Sequence, residues 1–187
     1  GQENGHDPKV LEKIWGDWEK FASYAFNKSH ATCYSWVAYQ TAYLKAHYPA
    51  EYMAALMTRR FAQITEITKL MEECQSMDIK TLGPDVNESY RAFGVNEHGE
   101  IRFGLSAIKG MGAPAADAIV AERQKNGPYK TIFDFAERVD FSCVNRKAFE
   151  SLALSGGFDS FGIRREQFFG KNSKGETFLD TLVRYGQ

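Results

Sequence analysis

A run of four polar residues stands at the head of an aromatic segment, and their types suit the binding of an anion. The run is Asn27, Lys28, Ser29 and His30, and Tyr34 follows one helical turn later. Apolar spacing predicts a helix from about Ser29 to His47. The first amide groups and the positive end of a helix attract phosphate, and Lys28 and His30 add cationic groups. We therefore predict a phosphate site here, with Tyr34 placed to stack on a base.

Three other interpretations of this segment are open. His30 and Cys33 have the spacing of half a metal site, but zinc needs three or four ligands and the remaining histidines and cysteines show no paired spacing. Ser29 or Cys33 could act as a nucleophile, although the sequence shows no nucleophile elbow and no orienting partner. A buried helix with a locally satisfied polar end explains the aromatic residues but not the polar run. We expect neither a catalytic residue nor a metal ligand in this chain.

Two glycines flank a single apolar residue in the sequence IKGMGA, residues 108–113. Glycine permits a tight turn between short helices and leaves its N–H group unobstructed. The small-residue helix that follows has Pro114 in its first turn and directs its positive end at the same place. The pattern is typical of a helix-hairpin-helix element, which binds the nucleic-acid backbone without sequence preference. Its predicted backbone-binding residues are Lys109, Gly110, Met111, Gly112 and Ala113.

A weaker copy of this pattern follows from residue 144 onwards. The helix VNRKAFESLAL leads into the glycine-rich turn SGGFDSFG and then into IRREQFF. Two such elements normally pack as one pseudo-symmetric unit, so we predict further backbone contacts at Ser155, Gly156 and Gly157. The alternative is that each glycine pair is merely a tight connection between helices.

The first 82 residues are predicted to be helical. Apolar residues at three- and four-residue spacing indicate an amphipathic helix over residues 8–22, and another helix begins at Pro49. Between them, the helix that ends at His47 carries apolar residues on two faces, which predicts a central helix packed on both sides. A further helix over residues 63–77 is expected to turn its apolar side chains inward. These side chains are Ile64, Ile67, Leu70, Met71 and Cys74.

The character of the chain then changes from helices to turns, and back to short helices. Residues 83–104 contain two alternating segments around the loop NEHG, which predicts a β-hairpin connector. Residues 105–169 are expected to form a tandem helix-hairpin-helix unit, and residues 170–187 a flexible tail with a short helix. The predicted fold is therefore mostly α: a helical subdomain over residues 1–82, a small β-hairpin, and an all-α unit.

Bulk composition excludes few functions. The 187 residues are 43% hydrophobic and 25% charged with a formal net charge of -1, so a nucleic-acid surface would have to be a local patch. The three cysteines, Cys33, Cys74 and Cys143, form no C-x-x-C pair, which favours reduced thiols. No apolar run reaches the length of a membrane span. We therefore expect a cytoplasmic protein with no membrane contact.

Long segments of the chain resemble one known family. The stretch EKFASYAFNKSHATCYSWVAYQTAYLKAHYPAEYMAALMT is similar to the fingers segment of the alpha subunits of bacterial replicative DNA polymerases, family C. The later stretches GPDVNESYRAFGVNEHGEIRFGLSAIKGMG and VNRKAFESLALSGGFDSFG resemble the continuation of that family into its tandem helix-hairpin-helix region. The resemblance runs in family order from about residue 8 to about residue 169.

This resemblance implies a share in template-directed DNA synthesis. The residues that match the family motif on the incoming-nucleotide side are Asn27, Lys28, Ser29 and His30, with Tyr34 one turn inside. The hairpin at Lys109, Gly110 and Gly112 is implied to hold duplex DNA. The implied partners are primer-template DNA, the incoming deoxynucleotide, and the sliding clamp and other replisome subunits, which bind mostly outside this chain.

The family polymerises through metal ions that carboxylates of a palm region bind. No paired-carboxylate motif occurs in this sequence. We therefore expect Mg²⁺ in the palm of the full-length enzyme, no cofactor in this chain, and no activity from the chain alone. The alternative is a stand-alone helix-hairpin-helix binding or scaffold protein of DNA repair, which would not need the aromatic segment.

Overall fold

In the computed structural model, which describes residues 1–24 and 27–187, the chain divides into two compact units. The first is Gly1–His47 and the second is Tyr48–Gln187. Helices predominate in both, which confirms the predicted fold class. The predicted segment boundaries at residues 82, 104 and 169 fall inside the second unit and stay predictions. Within the described residues, every helix is too short or too polar to traverse a lipid bilayer.

The first unit contains helices α1 (Pro8–Tyr24) and α2 (Lys28–His47). The prediction that α2 is a central helix packed on both sides is wrong, because none of its residues is buried. Trp36 and Tyr39 are each 63% exposed, and Trp18 of α1 is 65% exposed. An apolar helix face is buried only where another layer of structure covers it. Two helices cannot cover the apolar face of α1 and both apolar faces of α2.

The second unit begins with two helices packed on a small sheet. Its elements are α3 (Pro49–Arg59), α4 (Ile64–Ser76), β1 (Thr81–Leu82), β2 (Gly94–Val95) and β3 (Ile101–Arg102). The strand order is β1-β3-β2, with β2 antiparallel and β1 parallel to β3. The predicted hairpin is therefore present as β2 and β3. The sequence did not predict β1, because its residues directly precede a glycine-proline turn.

Helices α3 and α4 contribute most of the core beside this sheet. Met53, Met57, Ile67 and Cys74 are at most 1% exposed, and burial raises the pKa of the Cys74 thiol. The inward orientation predicted for Ile67 and Cys74 is confirmed. For Ile64 it is wrong, since this residue is 68% exposed as the first residue of α4, beyond the packed cluster.

A second core lies between the remaining helices. These are α5 (Ala113–Asn126), α6 (Ile132–Arg138), α7 (Arg146–Ser155) and α8 (Phe178–Gly186). Four phenylalanines that are at most 1% exposed form its centre: Phe135, Phe149, Phe158 and Phe168. Thr131, Asn145 and Thr177 begin α6, α7 and α8 by accepting backbone N–H bonds on their side chains.

Helix α8 belongs to this core. Leu179 and Leu182 are at most 1% exposed, and the helix packs on α6. The residues expected to form a flexible tail therefore end in a helix with a buried apolar face. Leu179, Leu182 and Val183 share one face of α8, and the other helices can cover that face.

Candidate nucleic-acid interface

The first glycine hairpin connects a 3₁₀ turn, Leu105–Ala107, to helix α5. Gly110 has a φ of +88°, a left-handed conformation that other residues adopt at a cost. Met111 is 6% exposed, and its N–H donates to the carbonyl of Ile108 at 3.0 Å. The apolar residue between the two glycines is therefore an anchor in the core. It holds the turn while Lys109 and both glycines stay exposed.

Helix α5 starts at this hairpin without a side-chain cap. Gly112 is the N-cap residue, and no side chain accepts from the first turn. Pro114 occupies the first turn and has no N–H to donate. The amides of Gly112 and Ala113 remain at the positive end of the helix, as the sequence predicted. Among the described residues Lys109 forms no salt bridge, and its side chain is exposed.

Helix α7 lies directly against the hairpin. A β-carbon at position 110 would lie 2.8 Å from the Oγ of Ser151 and 3.5 Å from the Cε of Lys147. Glycine at 110 is thus required by contact with α7 as well as by its φ. Lys147 brings a second cation to the hairpin, although it also lies 3.3 Å from Glu150. Sequence inspection did not find Lys147, because it carries no local motif.

The second hairpin is built differently from the first. Gly156 has a φ of +91° and ends α7, and the N–H groups of Gly156 and Gly157 both donate to the carbonyl of Leu152, at 3.1 and 2.8 Å. The hydroxyl of Ser155 donates to the same carbonyl at 3.2 Å. Both glycines are buried. The three residues predicted to contact the DNA backbone therefore donate these hydrogen bonds within the fold. Two 3₁₀ turns, Asp159–Phe161 and Arg165–Phe168, follow in place of an α-helix.

The segment before β2 forms hydrogen bonds with the elements around both hairpins. Arg123 of α5 is 8% exposed and donates to the carbonyl of Val86 at 2.8 Å, and burial lowers its pKa. Asn87 and Tyr129 exchange two hydrogen bonds of 2.9 and 2.8 Å between side chain and backbone. The N–H of Val86 donates to the carbonyl of Gly157 at 3.0 Å. Val86 is therefore hydrogen-bonded both to α5, which follows the first hairpin, and to the second hairpin.

The polar run at the start of α2 lies in the first unit. Asn27 caps the helix: its Oδ1 accepts from the backbone N–H of Ser29 at 3.0 Å and also from the Ser29 hydroxyl. The carbonyl of Asn27 accepts from the N–H of Ala31 at 2.9 Å. Asn27 and Ser29 are thus partly used in forming the helix end. This local role agrees with the interpretation that the polar end is satisfied within the helix.

His30 and Tyr34 form a pair on the next turn of α2. Their ring centroids are 4.3 Å apart and the planes are tilted by 39°. Tyr34 is 66% exposed, and Lys28 and His30 are also exposed. The structure therefore brings all five predicted nucleotide-side residues onto two turns of one helix, with a cation, an imidazole and a phenol ring open to solvent.

The two other chemistries considered for α2 gain no support from the geometry. Among the described residues, no three His, Cys, Asp or Glu side chains come together in a way that could bind a metal ion. The hydroxyl of Ser29 donates to Asn27 rather than to a histidine. Cys33 is an exposed free thiol. These residues stay without an assigned catalytic role.

Parts of this chain are similar in sequence to known proteins. A family profile described as "Helix-hairpin-helix motif" matches residues 78–168. DNA polymerase III subunit alpha of Chlamydia trachomatis is 50% identical over 158 residues, which is 84% of this chain and 13% of that protein. This chain is related in sequence to one segment of DNA polymerase III subunit alpha.

Other subunits of this name match in the same way. That of Pasteurella multocida is 46% identical over 87% of this chain. That of Escherichia coli K12 is 44% identical over 88% of this chain and 14% of that protein. The chain thus spans about one seventh of the length of these relatives. The similarity reaches well beyond the helix-hairpin-helix region, which favours the polymerase resemblance over a stand-alone hairpin protein.

Proposed function

We propose that this chain serves as a DNA- and nucleotide-contacting segment of a DNA polymerase III alpha subunit during template-directed DNA synthesis. The observation that carries the proposal is the 43–50% identity to such subunits over 84–88% of the chain. In this proposal the tandem helix-hairpin-helix unit, residues 105–169, binds the sugar-phosphate backbone of duplex DNA. The first unit, with α2, belongs to the fingers and contacts the incoming nucleotide.

The contact to duplex DNA is made by the first hairpin. Its support is the exposed turn at Lys109, Gly110 and Gly112, which leads directly into the uncapped start of α5. A phosphate oxygen can accept from both kinds of donor without any base being read. The second hairpin uses its glycine amides internally, so the proposal rests on the first hairpin.

The contact to the nucleotide is made by the start of α2. Lys28 carries a cationic group for a phosphate, His30 presents an imidazole ring, and Tyr34 presents a ring face at 66% exposure. Asn27 and Ser29 contribute by forming the start of the helix, whose positive end attracts an anion.

Catalysis itself is assigned to parts of the polymerase outside these 187 residues. The carboxylates of a palm region would bind Mg²⁺ there and activate the primer terminus for in-line attack. The sliding clamp and other replisome subunits would bind mostly outside this chain as well. The chain alone is proposed to bind DNA without synthesising it.

Duplex binding by the purified chain tests the first contact. Lys109→Ala is expected to weaken binding to duplexes of unrelated sequence by a similar factor, and to reduce the slope of log affinity against log salt by about 0.9. Lys125→Ala, an exposed lysine elsewhere on α5, is the matched control. An unchanged salt slope for Lys109→Ala would show that the hairpin does not contact phosphate.

Incorporation kinetics in a full-length polymerase that carries this segment test the second contact. Lys28→Ala and Tyr34→Ala are expected to raise the KM for the deoxynucleotide while the affinity for primer-template DNA stays the same. Lys13→Ala, an exposed lysine on α1, is the control. Wild-type kinetics for both variants would remove the nucleotide-side assignment and leave the duplex contact standing.

A further inference from the structure

A groove on the second unit lies beside the first hairpin and shares only Lys109 with the duplex contact proposed above. It has a volume of about 670 Å³ and runs between α4, β1, the hairpin and α7. Its walls include Ile64, Met71, Leu82, Phe103, Ile108 and Leu154. Lys109 and Lys147 also line it, and no acidic residue does so among those described.

The two walls of the groove expose large apolar side chains. Ile64 on the α4 side is 68% exposed, and Leu154 on the α7 side is 57% exposed. Each such side chain costs free energy while it faces water. Ile64 and Leu154 border one concave surface, and apolar residues grouped in this way mark an interaction site more often than single ones do.

The charge of the groove is positive at one end. Lys147 and Lys109 come from α7 and from the hairpin, and the contact of α7 with Gly110 brings them to the same place. Lys147 also lies 3.3 Å from Glu150, with its side chain 65% exposed. An exposed pair of this kind contributes little stability, so Lys147 can turn to another carboxylate at small cost.

We propose that this groove binds a short segment of a partner protein in which acidic residues flank large apolar ones. The apolar side chains of the segment would cover Ile64 and Leu154 and fill the groove. Its carboxylates would pair with Lys109 and Lys147. This combination of an apolar anchor and a charged rim is how grooves select peptide segments.

A nucleic acid fits the groove less well than such a peptide. The sugar-phosphate backbone offers charge but little apolar surface, and most of the lining is apolar. The phosphate groups of a nucleic acid would pair with the lysines, whereas Ile64 and Leu154 would stay exposed to water. The proposed peptide would both cover the apolar side chains and pair with the lysines.

Fluorescence anisotropy with the labelled peptide DELFDLLDE tests the proposal on the purified 187-residue chain. The peptide is expected to bind, and the same peptide with lysine for every acid, or with serine for every leucine and phenylalanine, is expected to bind at least about tenfold more weakly. Leu154→Ser and Lys147→Glu should each weaken binding of the first peptide by about tenfold. Both side chains are exposed, so circular dichroism should show an intact fold.

Matched control variants distinguish peptide binding in the groove from non-specific binding elsewhere on the chain. Leu44→Ser changes a similarly exposed leucine in the first unit, and Lys125→Glu reverses an exposed lysine on α5. Neither is expected to change peptide binding. Equal losses in these controls, or no binding of DELFDLLDE by the folded chain, would overturn the proposal.

Two other occupants are distinguished by the same variants. Single-stranded DNA binding that is lost in Leu154→Ser would assign the groove to nucleic acid and overturn the peptide proposal. Self-association in sedimentation experiments that is lost in Leu154→Ser would assign it to a second copy of the chain, with the same consequence. Lys147 and Leu154 are used here because Lys109 also belongs to the proposed duplex contact, so the two proposals can fail independently.

Discussion

Gly110 and Ser151 are in such close contact that a β-carbon on the glycine would lie 2.8 Å from the serine Oγ. The first hairpin and helix α7 are therefore packed at a point where neither backbone can move away easily. Gly110 also has a φ of +88°. The same glycine thus serves the turn, the packing of α7 and the exposure of the hairpin amides, and these roles can be separated experimentally.

We expect Gly110→Ala to destabilise the second unit by about 2 kcal/mol or more, because the left-handed conformation and the contact with Ser151 both oppose a β-carbon. Gly112→Ala is the matched control: its φ is -79° and the nearest neighbour of a new β-carbon is Pro114 at 3.5 Å. It should cost less than about 1 kcal/mol. Urea unfolding followed by circular dichroism measures both, and equal costs would contradict the packing role of Gly110.

Helix α8 is expected to be an integral part of the second core. Leu182→Ala removes a fully buried side chain and should lower the free energy of unfolding by about 2–5 kcal/mol. Leu154→Ala removes a leucine that is 57% exposed and should change it by less than about 1 kcal/mol. Denaturant unfolding of both variants is the measurement. A cost for Leu182→Ala as small as that for Leu154→Ala would mean that α8 does not pack in solution.

Intrinsic fluorescence should report an exposed first unit. The three tryptophans are Trp15, Trp18 and Trp36, and all are 62–65% exposed. We expect the native emission maximum to lie close to that of the unfolded chain and iodide to quench it efficiently, because water surrounds the indoles. Trp36→Phe separates the contribution of α2 from that of α1. A strongly blue-shifted native emission that persists on dilution would show that the aromatic faces are covered.

Acid should destabilise the second unit through Asp180. The Thr177 hydroxyl donates to its carboxylate at 2.6 Å and the Arg146 guanidinium at 2.8 Å, and these bonds hold the pKa of Asp180 well below its usual range. A depressed pKa contributes stability that is fully present above the unfolded value of about 4 and is lost as pH falls through the folded value.

We therefore expect the Tm of the second unit to fall as pH is lowered below about 4, and Asp180→Asn to make that fall shallower. Asp17→Asn changes a carboxylate of α1 and is the control. Thermal melts followed by circular dichroism across the acid range are the measurement. If Asp180→Asn left the pH dependence of Tm unchanged, the bonds to Thr177 and Arg146 would not set the charge state of Asp180.

The local features of the fold could be predicted because their causes are local. The glycine hairpin at Gly110 needs a φ that glycine adopts most easily, and the β-hairpin needs alternation around a turn. The short helix predicted within residues 170–187 is likewise present as α8. In each case the interactions that decide the conformation lie within a few residues of one another.

Burial was predicted less accurately than the local features of the fold. The helical spacing of the aromatic residues of α2 predicts that they are buried, yet Trp36 and Tyr39 are exposed. Ile64 followed the inward pattern of its helix and is exposed as well. Periodicity shows which side chains share a face, whereas burial depends on what other elements cover that face.

The sequence by itself determined the helical segments, the two glycine turns and the polar start of α2, because hydrogen bonding and backbone sterics act over short distances along the chain. Only the tertiary structure decided that Gly110 packs against Ser151 of α7. It also brought Lys147 to Gly110. These relationships join residues far apart in sequence, and they are set by how α7 packs against the hairpin.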